Sequence, residues 1–177
     1  MKKKCGFRLL IALFVMAAYQ SDSIAVIPSV VSPIPPAGSV QDVFTYINQA
    51  RSKSCRCGNQ TYPAVGPLVY NQKLATAAQK HANWMASALK MSHTEPKRDV
   101  RDAGKRVSQE GYSWSIVAEN VAAGQPTARE VVDAWLHSPG HCQTIMNGAV
   151  TEVGIGFSST ASGQYHYYWS ADFATAQ

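Results

Sequence analysis

The feature that most restricts the fold of this 177-residue chain is a single change of hydrophobic period near residue 146. Before that point, apolar residues recur at the spacing of amphipathic helices. After it, residues 153–157 and 165–174 are rich in β-branched and aromatic side chains, and residues 159–163 between them predict a hairpin turn. Helices followed by one antiparallel hairpin, without alternating βαβ units, predict an α+β fold with the sheet between helices.

Local signals predict where the helices begin and end. The predicted helices are 39–53 behind a Ser cap, 71–90 behind an Asn cap, a short one within 97–109, and one that starts at the Thr-x-x-Glu capping box of 127–130. Pro139 and Gly140 end the last of these, and one further helical turn can follow. Residues 55–67 hold two glycines and two prolines, so we expect a loop there.

The amino-terminal region has the pattern of an export signal. Residues 1–25 contain four basic residues, an apolar run of ten residues that is too short to span a bilayer, and a small-residue cleavage site at its end. Residues 26–38 contain four prolines and predict an extended linker. We therefore expect one domain, residues 39–177, secreted to the periplasm or the medium.

The charge of the chain argues against a nucleic-acid partner. Without residues 1–25, which hold four basic residues and one acid, the formal charge falls from +5 to +2. No run of lysine and arginine remains that would bind a polyanion. No later apolar segment is long enough to span a membrane.

Three cysteines follow the predicted signal: Cys55, Cys57 and Cys142. In an oxidising compartment we expect one disulfide and one leftover thiol. Cys55 and Cys57 are too close in sequence to bridge each other, and either could pair with Cys142. The alternative, a Cys-x-Cys zinc site, has a tighter spacing than usual zinc pairs.

Two histidines and one acid are the candidate site residues. His93 follows the second predicted helix, His141 follows the Pro-Gly break, and Glu119 interrupts an apolar run. A buried carboxylate there needs a partner, which is either backbone N–H groups or Arg106, or else an imidazole or a metal ion. Ser138, Glu119 and His141 could also form a hydrolytic triad, although no nucleophile-elbow pattern surrounds Ser138. His81, on the second helix, is interpreted as structural.

The order of short motifs resembles that of the CAP superfamily, which includes cysteine-rich secretory proteins, antigen-five allergens and plant pathogenesis-related proteins. The motifs are L-V-Y-N-x-x-L-A from residue 68, H-A at 81–82, S-H at 92–93, G-Y at 111–112, E-N-V-A-A-G at 119–124, Trp135, S-P-G-H at 138–141 and Y-W-S-A-D-F-A at 168–174. They cover about residues 40–175, and the S-P-G-H segment resembles the bacterial SCP-like extracellular subgroup.

The resemblance implies a three-layer α-β-α sandwich with a central, mostly antiparallel sheet and a cleft. Family members build that cleft from two histidines and one or two acids, and several bind zinc or another divalent cation there. His93, Glu119 and His141 match these positions, with the two histidines as metal ligands and Glu119 as the one candidate catalytic group. Ser138 occupies the position of the second acid, so the cleft of this chain has less negative charge.

The resemblance also implies a disulfide between Cys57 and Cys142, with Cys55 as the extra thiol. Closing the long loop between Cys57 and Cys142 would stabilise the fold by roughly 4 kcal/mol in the chain-entropy description. The bridge would hold His141 beside the first loop.

No common reaction unites the family, so the resemblance favours a non-enzymatic module that binds a divalent cation and a lipid, sterol or cell-envelope ligand. The alternative is a hydrolase of peptide or cell-wall material, in which Glu119 activates a metal-bound water or acts with the histidines as acid and base. A third interpretation is a protein-binding domain that uses residues 55–67 and 95–110.

Overall fold

The computed structural model describes residues 39–177, so the predicted signal peptide and linker lie outside the described residues. The elements of this part of the chain are α1 (Ser39–Arg51), β1 (Cys55–Cys57), β2 (Gln60–Tyr62), β3 (Val69–Tyr70), α2 (Gln72–Ala88), a 3₁₀ turn (Arg98–Val100), α3 (Ala103–Gln109), β4 (Trp114–Ala123), α4 (Ala128–His137), α5 (Pro139–Ile145), β5 (Glu152–Ser159) and β6 (Tyr167–Ala176). None of the helices in residues 39–177 has the length and apolar character needed to cross a membrane.

A four-stranded sheet in the order β3-β5-β6-β4 forms the middle layer. The predicted terminal hairpin is β5 and β6; β6 also pairs antiparallel with β4, whereas the two-residue β3 is parallel to β5. The α+β class and the mostly antiparallel α-β-α sandwich are confirmed. Residues 168–174 of β6 are buried on both faces, between the helical layers.

One face of the sheet is covered by α1, α4 and α5, which hold most of the apolar core. The core joins Val43 and Ile47 of α1 to Trp135 of α4 and Phe173 of β6. Arg51, at the end of α1, is buried and donates to four backbone carbonyl oxygens, one at the end of α5 and three in the loops before β3 and β5. This guanidinium therefore satisfies polar groups that the loops would otherwise leave unpaired.

The opposite face is covered by α2 and α3, and α2 lies unusually close to the sheet. A Cβ on Gly154 would lie 1.9 Å from the backbone nitrogen of Ala75, and a Cβ on Gly156 would lie 2.3 Å from the carbonyl carbon of Ala78. Two glycines on β5 and an alanine-rich helix face thus permit backbone-to-backbone packing. This packing sets the depth of the side chains that lie between α2 and the sheet.

The predicted helix signals are confirmed to within two residues. Asn71 caps α2, because its side-chain oxygen accepts from the backbone N–H groups of Lys73 and Leu74. Thr127 accepts from the N–H of Glu130 at the start of α4. Pro139 occupies the first turn of α5, which continues the chain after the break at Ser138.

The predicted loop over residues 55–67 is partly wrong, because β1 and β2 pair as a small antiparallel hairpin. Cys57 pairs with Gln60, so the turn consists of Gly58 and Asn59, and Gly58 has a positive φ of 62°. A two-residue turn with a left-handed glycine matches the twist of a hairpin, and the sequence analysis missed this signal.

The disulfide between Cys57 and Cys142 is confirmed. The Sγ atom of Cys55 lies 3.6 Å from that of Cys142, so three sulfurs cluster in the core. The described residues contain no free cysteine, and the expectation of a leftover thiol at Cys55 is therefore wrong. With the sulfurs of Cys57 and Cys142 joined in a disulfide, neither is a free thiolate, so this state of the protein gives the Cys-x-Cys zinc interpretation no support.

We expect Gly154→Ala to destabilise the domain by about 3 kcal/mol or more, because the new methyl group overlaps backbone rather than a flexible side chain. The free energy of urea unfolding measures this effect. Gly66→Ala is the matched control, since a Cβ at Gly66 meets nothing within 4 Å. Equal stability of the two variants would contradict the close approach of α2 to the sheet.

Candidate functional site

The candidate site lies where the segment after α2 passes over the face of β4 that is turned towards α2. Leu89 ends α2 in the left-handed conformation, with φ of 52°, and directs the following segment back over the sheet. His93 lies in that segment, and Glu119 lies in the middle of β4, opposite Asp172 of β6. Because opposed residues share a face of the sheet, Glu119 and Asp172 both point towards α2.

His93 and Glu119 are in direct contact. His93 Nδ1 lies 2.7 Å from Glu119 Oε2, and the imidazole is 56% exposed whereas the carboxylate is 4% exposed. A carboxylate can only accept, so Nδ1 carries the proton and Nε2 is left available to a ligand. The hydrogen bond with Glu119 is the main cause that raises the pKa of His93 above its usual value of 6.5.

His141 is brought to the same cleft from the other side. The centroids of the His93 and His141 rings are 6.4 Å apart. The adjoining Cys142 is held in the disulfide, and the backbone oxygen of His141 accepts from Asn120 Nδ2 at 3.1 Å. Burial, followed by the neighbouring His93, lowers the pKa of His141. The two imidazoles thus have opposite pKa shifts, and the less basic one is a good ligand at neutral pH.

Ser138 is at the start of α5, one turn before His141. Its carbonyl oxygen accepts from the N–H of Cys142, and its side chain makes no capping hydrogen bond. In the described contacts, Glu119 is bonded to His93 and Arg106 rather than to His141. The hydrolytic triad of Ser138, His141 and Glu119 therefore has no support in the geometry.

Two of the partners considered for Glu119, Arg106 and an imidazole, contact its carboxylate at the same time. Arg106, on α3, donates from Nη2 to Glu119 Oε1, and the two side chains are only 3% and 4% exposed. Its Nη1 lies 3.3 Å from the backbone oxygens of His93 and Val100. Each oxygen of Glu119 is therefore held by a charged or strongly polar donor, which leaves the carboxylate poorly placed to coordinate a metal ion itself.

His81 links α2 to the segment that carries His93. Its Nδ1 lies 2.7 Å from Glu95 Oε1, and its Nε2 lies 2.8 Å from the backbone oxygen of Ser92. The ring also stacks on Trp84, and its Nε2 is 3.7 Å from Glu119 Oε1. The structural interpretation of His81 is thus supported, and its role is to position residues 92–95 above the sheet.

Asp172 is the residue of this site that the sequence analysis missed. It is 0% exposed, and neither of its carboxyl oxygens has a hydrogen-bond partner among the described residues. Burial is the main cause that raises its pKa well above 3.8; nearby Glu119 raises the pKa further, and Arg106 lowers it. Burial thus favours the neutral form of Asp172, beside a carboxylate that is paired with Arg106 and His93. The available signal was an acid within an otherwise apolar and aromatic strand.

The comparison with known families identifies the domain. A sequence model of the CAP family, described as the cysteine-rich secretory protein family, matches residues 44–173. The chain belongs to this family. The match excludes only the ends of the described region, so the CAP domain accounts for the whole sandwich.

Relatives of this CAP domain occur in bacteria. The chain is 30% identical over 96 residues to the uncharacterized protein YkwD of Bacillus subtilis, a match that covers 54% of this chain and 37% of YkwD. The chain thus spans somewhat over a third of that relative.

Two solved structures show the same fold. One is an extracellular SCP-domain protein of Bacillus anthracis, with a TM-score of 0.62, 23% identity and coverage of 77% of this chain and 40% of that chain. The other is an outer surface protein of Borrelia burgdorferi, with a TM-score of 0.67, 19% identity and coverage of 81% of this chain and 97% of that chain. At these identities the likeness concerns the CAP fold.

We expect Arg106→Met and Glu119→Leu each to destabilise the domain by about 3–5 kcal/mol, because each leaves a buried charge without its partner. The double variant should lose less stability than the sum of the losses of the two single variants. Urea unfolding at neutral pH measures the stability of the two single variants and of the double variant. Lys80→Ala is the control, because it breaks an exposed ion pair with Glu110 and should cost less than about 1 kcal/mol of stability. If the two losses of stability simply added, Arg106 and Glu119 would not be energetically coupled.

We expect Asp172→Asn to flatten the pH dependence of stability. Because the folded pKa of Asp172 lies above its unfolded value, the folded state keeps a proton that the unfolded state releases, and the free energy of unfolding falls as pH rises above 3.8. The slope due to this group approaches about 1.4 kcal/mol per pH unit until the folded pKa is reached. Denaturant curves from acid to neutral pH measure it.

The exposed Asp99 gives the control for that experiment, since Asp99→Asn should leave the slope as it is in the unmodified protein. Parallel stability curves for Asp172→Asn and the unmodified protein would contradict a raised pKa of Asp172.

Proposed function

We propose that this CAP domain is a secreted, non-enzymatic binding module whose cleft holds a divalent cation between His93 and His141. The observation that carries the proposal is the contact between His93 Nδ1 and Glu119 Oε2. A carboxylate that accepts from one ring nitrogen fixes the imidazole and makes the other nitrogen a better metal ligand. Glu119 thus orients a ligand instead of being one.

The donor set fits zinc or a similar borderline cation. Two imidazole nitrogens and at least one open position for water or ligand suit the tetrahedral preference of zinc. With Zn–N bonds of about 2.0–2.1 Å, two rings on one ion have centroids closer than the 6.4 Å of the structure, so binding would draw the rings together. With Ser138 in place of a second acid, the affinity should be modest.

The same contacts disfavour the hydrolase alternative. A general base must be free to accept a proton from water, and both oxygens of Glu119 already accept from Arg106 and His93. Asp172 is buried and has no access to a substrate. Neither carboxylate is therefore well placed to serve as the base of the hydrolase in which Glu119 activates water.

The proposed location is the cell envelope or the medium. The export-type amino terminus supports it, as do the extracellular and outer-surface descriptions of two proteins with this fold. Met91, two residues before His93, is 49% exposed, and Leu89 is 44% exposed. These apolar side chains beside the cleft would suit a lipid, sterol or other cell-envelope ligand.

We expect the oxidised protein to bind one zinc ion with a dissociation constant on the order of micromolar or weaker, because only two protein nitrogens coordinate. Calorimetry measures the affinity, which should fall as pH drops and the imidazoles are protonated. His93→Ala with His141→Ala should abolish binding.

His137→Ala with His166→Ala is the matched control, because both imidazoles are exposed and lie outside the cleft. Glu119→Gln should weaken binding by about 10–100-fold. Unchanged affinity in the first double variant, or no binding by the unmodified protein, would refute the cation part of the proposal.

A further inference from the structure

A groove on the outer side of α3 is separate from the histidine cleft. It is a cavity of about 670 Å³ beside Trp114, and a second cavity of about 350 Å³ adjoins it. Both cavities are lined by Trp114 and Ser108. The indole thus stands between two neighbouring spaces, and a ligand longer than one ring could contact both.

Trp114 is held rigidly in this groove. Its Nε1 lies 3.0 Å from Ser108 Oγ and 3.3 Å from the backbone oxygen of Gly104. Gly104 also lets the ring lie against α3, because a Cβ there would be 2.8 Å from the indole. The side chain nevertheless remains 37% exposed. A fixed ring whose N–H is already satisfied presents a purely apolar surface and loses little entropy when a ligand binds.

The rest of the groove is polar and electrically balanced. Arg98 and Lys105 face Asp99 and Asp102, so two positive charges meet two negative ones. Hydroxyl and amide groups are added by five more lining residues, Ser108, Gln109, Tyr112, Ser113 and Gln177. Apart from the indole, no large apolar side chain of the described residues lines the larger cavity. The cavity therefore offers no apolar pocket for a peptide side chain or an acyl chain.

We propose that this groove is a binding site for a neutral oligosaccharide, with Trp114 as the stacking platform. A pyranose ring has one apolar C–H face that packs on an indole and a rim of hydroxyl groups that pair with charged and amide side chains. The balanced charge favours a neutral saccharide over a polyanion. Arg106 faces inward from α3 and belongs to the cleft, so this site is independent of the proposed cation site.

The test is calorimetric titration of the full protein with chitotetraose, cellotetraose and maltotetraose, a readout that does not depend on Trp114 as the reporter. We expect saturable binding of at least one of them with a dissociation constant on the order of millimolar or tighter. Trp114→Ala should weaken binding by at least about tenfold, and Trp114→Phe, which keeps a ring, should weaken it less. Circular dichroism confirms that the variants fold.

Two controls separate this site from the rest of the molecule. Trp84→Phe changes a tryptophan of α2 that lies outside both cavities and should bind as the unmodified protein does. His93→Ala with His141→Ala should also bind normally, even where it loses zinc. The proposal is overturned if no tetrasaccharide binds, if Trp114→Ala binds equally well, or if binding is lost with the two histidines instead.

Discussion

The buried ion pair between Arg106 and Glu119 is the interaction on which the rest of the site depends. Two charges that are almost fully removed from water are tolerated only when each has further polar partners. Glu119 obtains a second partner in His93, and Arg106 obtains the backbone oxygens of His93 and Val100. Satisfying these two charges therefore fixes α3, β4 and the segment after α2 in one arrangement, with an imidazole at the surface of the cleft.

The same pair assigns different roles to two acids on adjacent strands. Glu119 lies within reach of the guanidinium, whereas Asp172, opposite it on β6, has no hydrogen-bond partner among the described residues. Burial and the neighbouring Glu119 raise the pKa of Asp172, since a second buried charge would repel the first. Glu119 orients His93, and Asp172 is buried beneath α2. One acid therefore positions an imidazole, and the environment of the other favours its neutral form.

The helical half of the fold and the terminal hairpin were predictable because caps and hydrophobic period act locally, as Asn71 and Thr127 illustrate. The β1–β2 hairpin was missed because its strands are three residues long and are held by the Cys57 disulfide rather than by pattern. Motif resemblance named His93, Glu119 and His141 but could not show which group Glu119 contacts. Asp172 was missed because its raised pKa follows from its burial on β6 beneath α2, which only tertiary structure determines.

The position of α3 connects the cleft with the outer groove. This helix has seven residues, too few to be stable alone, so its placement comes from tertiary contacts and from the Asp102 cap. Arg106 faces inward to Glu119, while Gly104 and Ser108 face outward to Trp114, whose indole nitrogen bonds to both. One buried ion pair thus sets the geometry of two surfaces on opposite sides of a short helix. His93 and His141 lie outside this pair, so replacing them should leave the contact between Arg106 and Glu119, and with it the position of α3, in place.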